Sequence, residues 1–281
     1  MAAVTVARRR NRNNERRRRQ IFLVHISIFG MTEEKVIQTY PYLEPTTRRS
    51  HAIPAMTKLL AALHFFASGS FQRTVAISAG VSQSSLPGML SDVLNAMIRR
   101  MGRYIQFPST QEALNETKHG FYAVADFPRV IEVVHCTHVQ IVPPSNIEHV
   151  YRNGKHSHSL NAQAVCDSRG VITNVVAKYP GSVHDSFIMR NSRIFSKLGE
   201  GEYGDGWLLG DSPHPLHPFL LTPQLNPTTP GENRHNVAHI RTRNIVEKSW
   251  FRCCFPNQCS GCEGEVKSGI QCTGLYGLRV R

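Results

Sequence analysis

The chain has 281 residues, 41% of them apolar, which is enough to bury a sizeable core in one large domain with a smaller companion. Its formal net charge of +13 and isoelectric point near 9.8 favour a polyanionic partner, most simply nucleic acid. No run approaches the ~18 consecutive apolar residues of a membrane span, and seven irregularly spaced cysteines fit a reducing compartment better than a disulfide framework.

Residues 1–50 are expected to form a basic, largely disordered arm. Arg8, Arg9, Arg10, Arg12, Arg16, Arg17, Arg18 and Arg19 crowd its first part against Glu15 alone. Such a run cannot pack into a core. Its function would be to contact DNA phosphates, chiefly through Arg16, Arg17, Arg18 and Arg19, or to direct nuclear import. The short apolar stretch Ile21–Ile28 lacks the cleavage site of a secretory signal.

Residues 51–128 are expected to be helical and helix-turn-helix-like. Apolar residues recur at helical spacing over Thr57–Ala67, and Ser68-Gly69-Ser70 breaks the pattern. A short helix over Thr74–Ala79 and a turn at Gly80 follow. Ser82 would cap the next helix and place Gln83, Ser84 and Ser85 in its first turn, where Gln83 and Ser84 would meet base edges or phosphates. Pro87 works against a start that early, and an ordinary helical hairpin is the alternative. Residues 107–128 make a mixed helical link, with Phe121–Val124 facing inward.

From Val130 the pattern changes. Val130–Val142 is rich in β-branched residues, as a buried strand would be, and Pro143-Pro144 ends it. Leu160–Cys166 and Val171–Lys178 form two strands joined by the turn Asp167-Ser168-Arg169-Gly170. A helix is predicted over about Asp185–Phe195, a short strand at Trp207–Leu209, a Pro-rich connection from Pro213 to Pro230, and a helix over Asn236–Cys253. Three strands, a crossover helix, a further strand and a helix describe an α/β mixed sheet with flanking helices. The ribonuclease-H-like fold has that order.

Three carboxylates fall at informative points of this order: Asp185 after a Pro-Gly-Ser turn, Asp211 at a strand end, and Glu247 on a helix. His135 lies on the central strand. Singly, each carboxylate has an ordinary role, as a helix cap for Asp185 or Asp211, or as the i+4 partner of Arg243 for Glu247. Together they suit divalent-ion binding. Phosphodiester hydrolysis needs charge neutralised on the phosphate and a deprotonated water, which two ions about 3.5–4 Å apart can provide. Hard cations such as Mg2+ or Mn2+ prefer carboxylate oxygens.

Several segments carry a family resemblance in the right order: Pro180-Gly181-Ser182-Val183-His184-Asp185, Leu208-Leu209-Gly210-Asp211-Ser212, Leu221-Thr222-Pro223, and Asn236-Val237-Ala238-His239 with Val246-Glu247-Lys248. Ser68-Gly69-Ser70-Phe71-Gln72 matches the region ahead of them. From about Met56 to Phe255 the chain resembles the domesticated, transposase-derived nucleases of the PIF/Harbinger DDE transposase superfamily. The resemblance implies a ribonuclease-H-like DDE nuclease domain over residues 129–255; residues 256–281 read as an irregular cysteine-containing tail. It implies hydrolysis of DNA with a divalent cation, Mg2+ or Mn2+. The ligands would be Asp185, Asp211 and Glu247 with His135, and His138, Arg241 and Arg243 would stabilise phosphate charge. DNA and a Myb/SANT-like companion protein would be the partners, no membrane is involved, and the location would be the nucleus and also the cytoplasm.

Two features depart from the family pattern. His135-Cys136-Thr137-His138 stands where the family has Asp-Cys-Thr-His, so the first acidic position carries a neutral imidazole, which suits Mg2+ poorly. The tail, Pro256–Arg281, replaces the further helices of the family, and its Cys259-Ser260-Gly261-Cys262 lacks the regular second pair of a zinc knuckle. The nuclease is therefore expected to be impaired. A catalytically inactive DNA-binding or adaptor protein of transposase descent is the alternative.

Overall fold

The computed structural model describes residues 38, 40–44 and 52–254, and their side chains up to 247 except those at 40 and 67. Arg16, Arg17, Arg18 and Arg19 of the arm and the cysteines of the tail lie outside the described residues. The described chain divides into two compact units, the first through Tyr104 and the second from Ile105 to Trp250.

The first unit is helical. Helix α1 (Ala55–Ser68) ends at Gly69, whose left-handed backbone lets its N–H reach the Phe65 carbonyl at 3.1 Å. Helix α2 (Gln72–Ser78) and helix α3 (Leu86–Tyr104) follow. Leu86, Met89, Leu90, Val93, Leu94 and Met97 repeat at i, i+3, i+4 and form the buried stripe of α3, packed against Leu59, Phe66 and Val75. Each fully buried aliphatic side chain of this kind contributes about 1.5–3 kcal/mol. The helix expected to begin at Ser82 begins at Leu86. Gln83–Ser85 form a turn, closed by Ser85 N–H donating to the Ser82 carbonyl at 3.1 Å, and Pro87 then falls in the first helical turn, where its missing N–H costs nothing. Gln83 and Ser84 are exposed on that turn rather than within the helix.

The second unit is a mixed sheet with helices. It runs α4 (Gln111–Ala125), β1 (Val130–Gln140), α5 (Glu148–Tyr151), β2 (Ser159–Cys166), β3 (Ile172–Pro180), α6 (Asp185–Arg190), α7 (Arg193–Gly199), β4 (Trp207–Leu209), β5 (Leu220–Leu221) and α8 (Pro230–Cys254). The strand order is β3-β2-β1-β4-β5, with β1 central. β1 pairs antiparallel with β2 and parallel with β4. β2 pairs antiparallel with β3, and β4 pairs parallel with β5. This is the ribonuclease-H-like mixed sheet with flanking helices that the element order predicts. Adjacent residues Val133 and Val134 point to opposite faces. Val134, Val165, Leu208 and Leu220 pack with Met189, Ile194 and Leu198 of α6 and α7, while Val133, Cys166 and Leu209 pack with Phe121 of α4 and Val246 of α8.

Four expectations about elements are corrected. The helix over Asp185–Phe195 is two helices, because Ser192 ends one and caps the next, its hydroxyl accepting from Phe195 N–H at 3.2 Å. β5 lies inside the Pro-rich connection. The last helix starts at Pro230, six residues before Asn236. Thr229 Oγ1 there accepts from Glu232 N–H at 3.2 Å and Glu232 Oε2 from Thr229 N–H at 3.0 Å, a capping box with proline in the first helical position. In α4, Phe121 is buried, but Tyr122 and Val124 are exposed, since a helix face cannot hold neighbouring residues together.

Candidate active site

Strand register sets the level of the site. Val133 pairs with Leu209, so two residues further along each parallel strand bring His135 and Asp211 to the same end of the sheet. Gly210 makes the turn off β4 compact. A Cβ there would lie 3.0 Å from Leu220 Cδ1 and 3.1 Å from His214 Cδ2. Asp211 Oδ1 accepts from Ser212 N–H at 2.9 Å, and its backbone carbonyl accepts from His214 N–H at 3.0 Å.

Helix α8 crosses this end and delivers Arg243 and Glu247, one turn apart. The Arg243 guanidinium is the hub. Its Nη2 donates to Glu247 Oε1 at 2.6 Å, its Nη1 lies 3.3 Å from Asp211 Oδ2, and the same Nη1 is 3.4 Å from His135 Nδ1. The Arg243 side chain is only 13% exposed, so the pairs act in a partly desolvated setting. Burial, then the Arg243 charge, pushes the His135 imidazole below its ordinary range, although Glu247, Asp211 and Asp185 pull the other way. His135 is therefore held neutral.

Asp185 is held separately. It is the first residue of α6, and its Oδ1 accepts from Asn161 Nδ2 at 2.7 Å, which also donates to the Val183 carbonyl at 2.8 Å. The Cys136 thiol lies close to the same carboxylate. Burial and then the Asp185 charge raise that thiol far above its usual value, so it stays protonated. Cys136 and His135 are neighbours on β1 and point to opposite faces. Asp185 is tied to Cys136 and to Asn161, whereas Asp211 and Glu247 gather on Arg243 at the other side of the strand. The turn carrying Asp185 is seated through Gly181, whose N–H donates to the Ser159 carbonyl at 2.8 Å and where a Cβ would lie 2.6 Å from the Tyr151 carbonyl oxygen.

His138 Nδ1 bonds Ser159 Oγ at 3.0 Å, and burial lowers its pKa against the pull of Asp185. Arg241 is exposed on α8. Two site residues escaped the sequence reading. Asn161 shows only as one polar position in a strand. His214 is 3% exposed, with neither ring nitrogen hydrogen-bonded, and its pKa is lowered by burial while Asp185 and Asp211 act to raise it. Its Asp-x-x-His spacing from Asp211 was the available signal. Glu132 on β1 is also buried, but it pairs with Thr173 at 3.0 Å, and burial raises its carboxyl well above the usual range, so it adds no charge here.

Carboxylate oxygens and imidazole nitrogens are a donor set that divalent metals use. The arrangement described does not offer them to one ion. Arg243 and Asn161 engage the carboxylates, and among the described residues no group of three His, Cys, Asp or Glu side chains is placed to hold a metal.

Residues 134–253, which contain His135, Asp185, Asp211, Arg243 and Glu247, match the family described as DDE superfamily endonuclease. Over 226 residues the chain is 39% identical to "Putative nuclease HARBI1" of Rattus norvegicus, covering 80% of this chain and 65% of that protein. The protein of the same name in Xenopus laevis is 32% identical over 244 residues, 79% of this chain and 70% of the relative. The chain belongs to the Harbinger transposase-derived DDE nuclease family. "Protein ALP1-like" of Arabidopsis thaliana is a more distant relative, 27% identical over 208 residues, 68% of this chain and 50% of that one. No solved structure matches the chain. The chain spans about 65% of the length of the mammalian relatives, and members of the DDE superfamily generally use divalent metals.

Proposed function

We propose that this DDE family member is a nuclease that hydrolyses DNA phosphodiester bonds with a divalent cation, Mg2+ or Mn2+, and that His135 impairs it. The observation that carries this is the meeting of Asp211, from the end of β4, with Glu247, from α8, on one guanidinium beside His135 of the central strand. Residues this far apart in sequence share no local reason to converge. Asp185, Asp211 and Glu247 are the proposed carboxylate ligands and His135 a weak fourth. In this reading Asn161 and Cys136 orient Asp185, and Arg243 and His138 face the phosphate. The net charge of +13 supports DNA as substrate. Arg16, Arg17, Arg18 and Arg19, with Gln83 and Ser84, are proposed as further DNA contacts, a Myb/SANT-like protein as companion, and the nucleus, with the cytoplasm, as location.

A DNA-binding or adaptor protein that does not cut is favoured by one observation: Asp211 and Glu247 are both already paired with Arg243. Plasmid cleavage in Mn2+ separates the two. Asp185→Asn and Asp211→Asn should each lower cleavage by more than ~100-fold, beyond what loss of a merely supporting residue costs at a metal site. Equal rates in the wild type and both variants would sink the nuclease assignment.

A further inference from the structure

The guanidinium of Arg243 holds one oxygen each of Asp211 and Glu247, the two carboxylates that a bound cation would use. Its two terminal nitrogens lie 3.3 Å from Asp211 Oδ2 and 2.6 Å from Glu247 Oε1. A small divalent ion needs such oxygens at about 2.0–2.2 Å. An ion that close to both oxygens would crowd the guanidinium and face its like charge. Ion and guanidinium therefore compete for these two oxygens. We propose that Arg243 is an internal cation that closes the acidic site, and that a divalent ion binds Asp211 and Glu247 only in exchange for it.

The device is built into α8. Arg243 and Glu247 are separated by four residues, so the closing contact forms whenever this part of the helix forms. The third contact, to His135 Nδ1 at 3.4 Å, adds no carboxylate to the pair that the guanidinium holds. At 13% exposure the guanidinium is poorly hydrated, and once displaced it requires another anion. The planar fork of arginine is well matched to phosphate, so a DNA backbone at the site would be a suitable acceptor.

The inference rests on the nuclease reading, and its test uses metal binding rather than cleavage. Mn2+ is titrated into the full chain and followed by electron paramagnetic resonance, for the wild type, Arg243→Gln, Arg243→Lys, and each with Asp211→Asn added. Arg243→Gln should bind Mn2+ about 10–100-fold more tightly than the wild type, the range by which groups beside a metal site change affinity. Arg243→Lys, a single point charge on a shorter head, should fall between. Asp211→Asn should abolish the gain. If a folded Arg243→Gln chain binds no more tightly, closure by Arg243 is wrong, while the nuclease reading stands provided that Asp211→Asn weakens wild-type binding. If Asp211→Asn changes Mn2+ binding in none of the chains, both fail. Should Arg243→Gln not fold, Arg243→Lys decides alone, and affinity at or below the wild-type value overturns the proposal.

Discussion

Asn161 shows how a site residue can be hidden in a sequence. It is one of three buried polar side chains in its strand, with Ser159 and Gln163, and its partners Val183 and Asp185 come from a turn beyond the next strand. Nothing local marks it. Arg243 differs: its i+4 pairing with Glu247 is legible in the sequence, while its contact with Asp211 requires the sheet register. Asp185, Asp211 and Glu247 were legible because each sits at a punctuated place: a Pro-Gly-Ser turn, a Gly after an apolar run, a helical stripe. His214 lies in a Pro-rich stretch that reads as loop. Asn161 positions Asp185 in this account and does not touch substrate. Asn161→Ala should therefore reduce cleavage about 10–100-fold, mainly in kcat with KM for DNA little changed. A loss confined to KM, or unchanged kinetics in a folded variant, would contradict that role.

At the scale of elements, strands show in the local sequence more clearly than helix ends. Trp207–Leu209 was placed to the residue, because an apolar run ending in Gly-Asp is locally distinctive. The helix start at Pro230 was missed although Thr229, Pro230 and Glu232 carry a complete capping signature, since the surrounding prolines suggested loop. β5 has two residues and exists only because Leu220 and Leu221 pair with Leu208 and Leu209, so no local pattern could reveal it. The turn into α6 was visible as Pro-Gly-Ser, but its need for glycine was not. Gly181 faces the Tyr151 carbonyl too closely for any side chain. Gly181→Ala should destabilise the protein by roughly 1–3 kcal/mol, lowering Tm by several degrees. Gly154→Ala, with nothing within 4 Å of the added Cβ, should stay within about 0.5 kcal/mol of wild type. Equal Tm values for the two variants in thermal denaturation would show that the turn does not depend on that close approach.

For the molecule as a whole, the order of elements was enough to name a mixed ribonuclease-H-like sheet, and the sheet then explains why distant carboxylates gather at one end. What the order could not show is the state of the site. Alternation along β1 sends Cys136 toward Asp185 and His135 toward Arg243, so the acidic groups lie in two sets on either side of one strand. A carboxylate at position 135 would bring a negative charge to the central strand between them. The most direct measurement is cleavage of duplex oligonucleotides in Mg2+ and in Mn2+ by the wild type, by His135→Asp, and by His135→Asp combined with Glu247→Gln. The account predicts weak or no cleavage by the wild type in Mg2+, some in Mn2+, at least ~10-fold more for His135→Asp in either ion, and loss of that gain in the double variant. A single variant no more active than the wild type while still binding metal and DNA, or a double variant as active as the single, would contradict a shared site of Asp185, Asp211 and Glu247 around position 135.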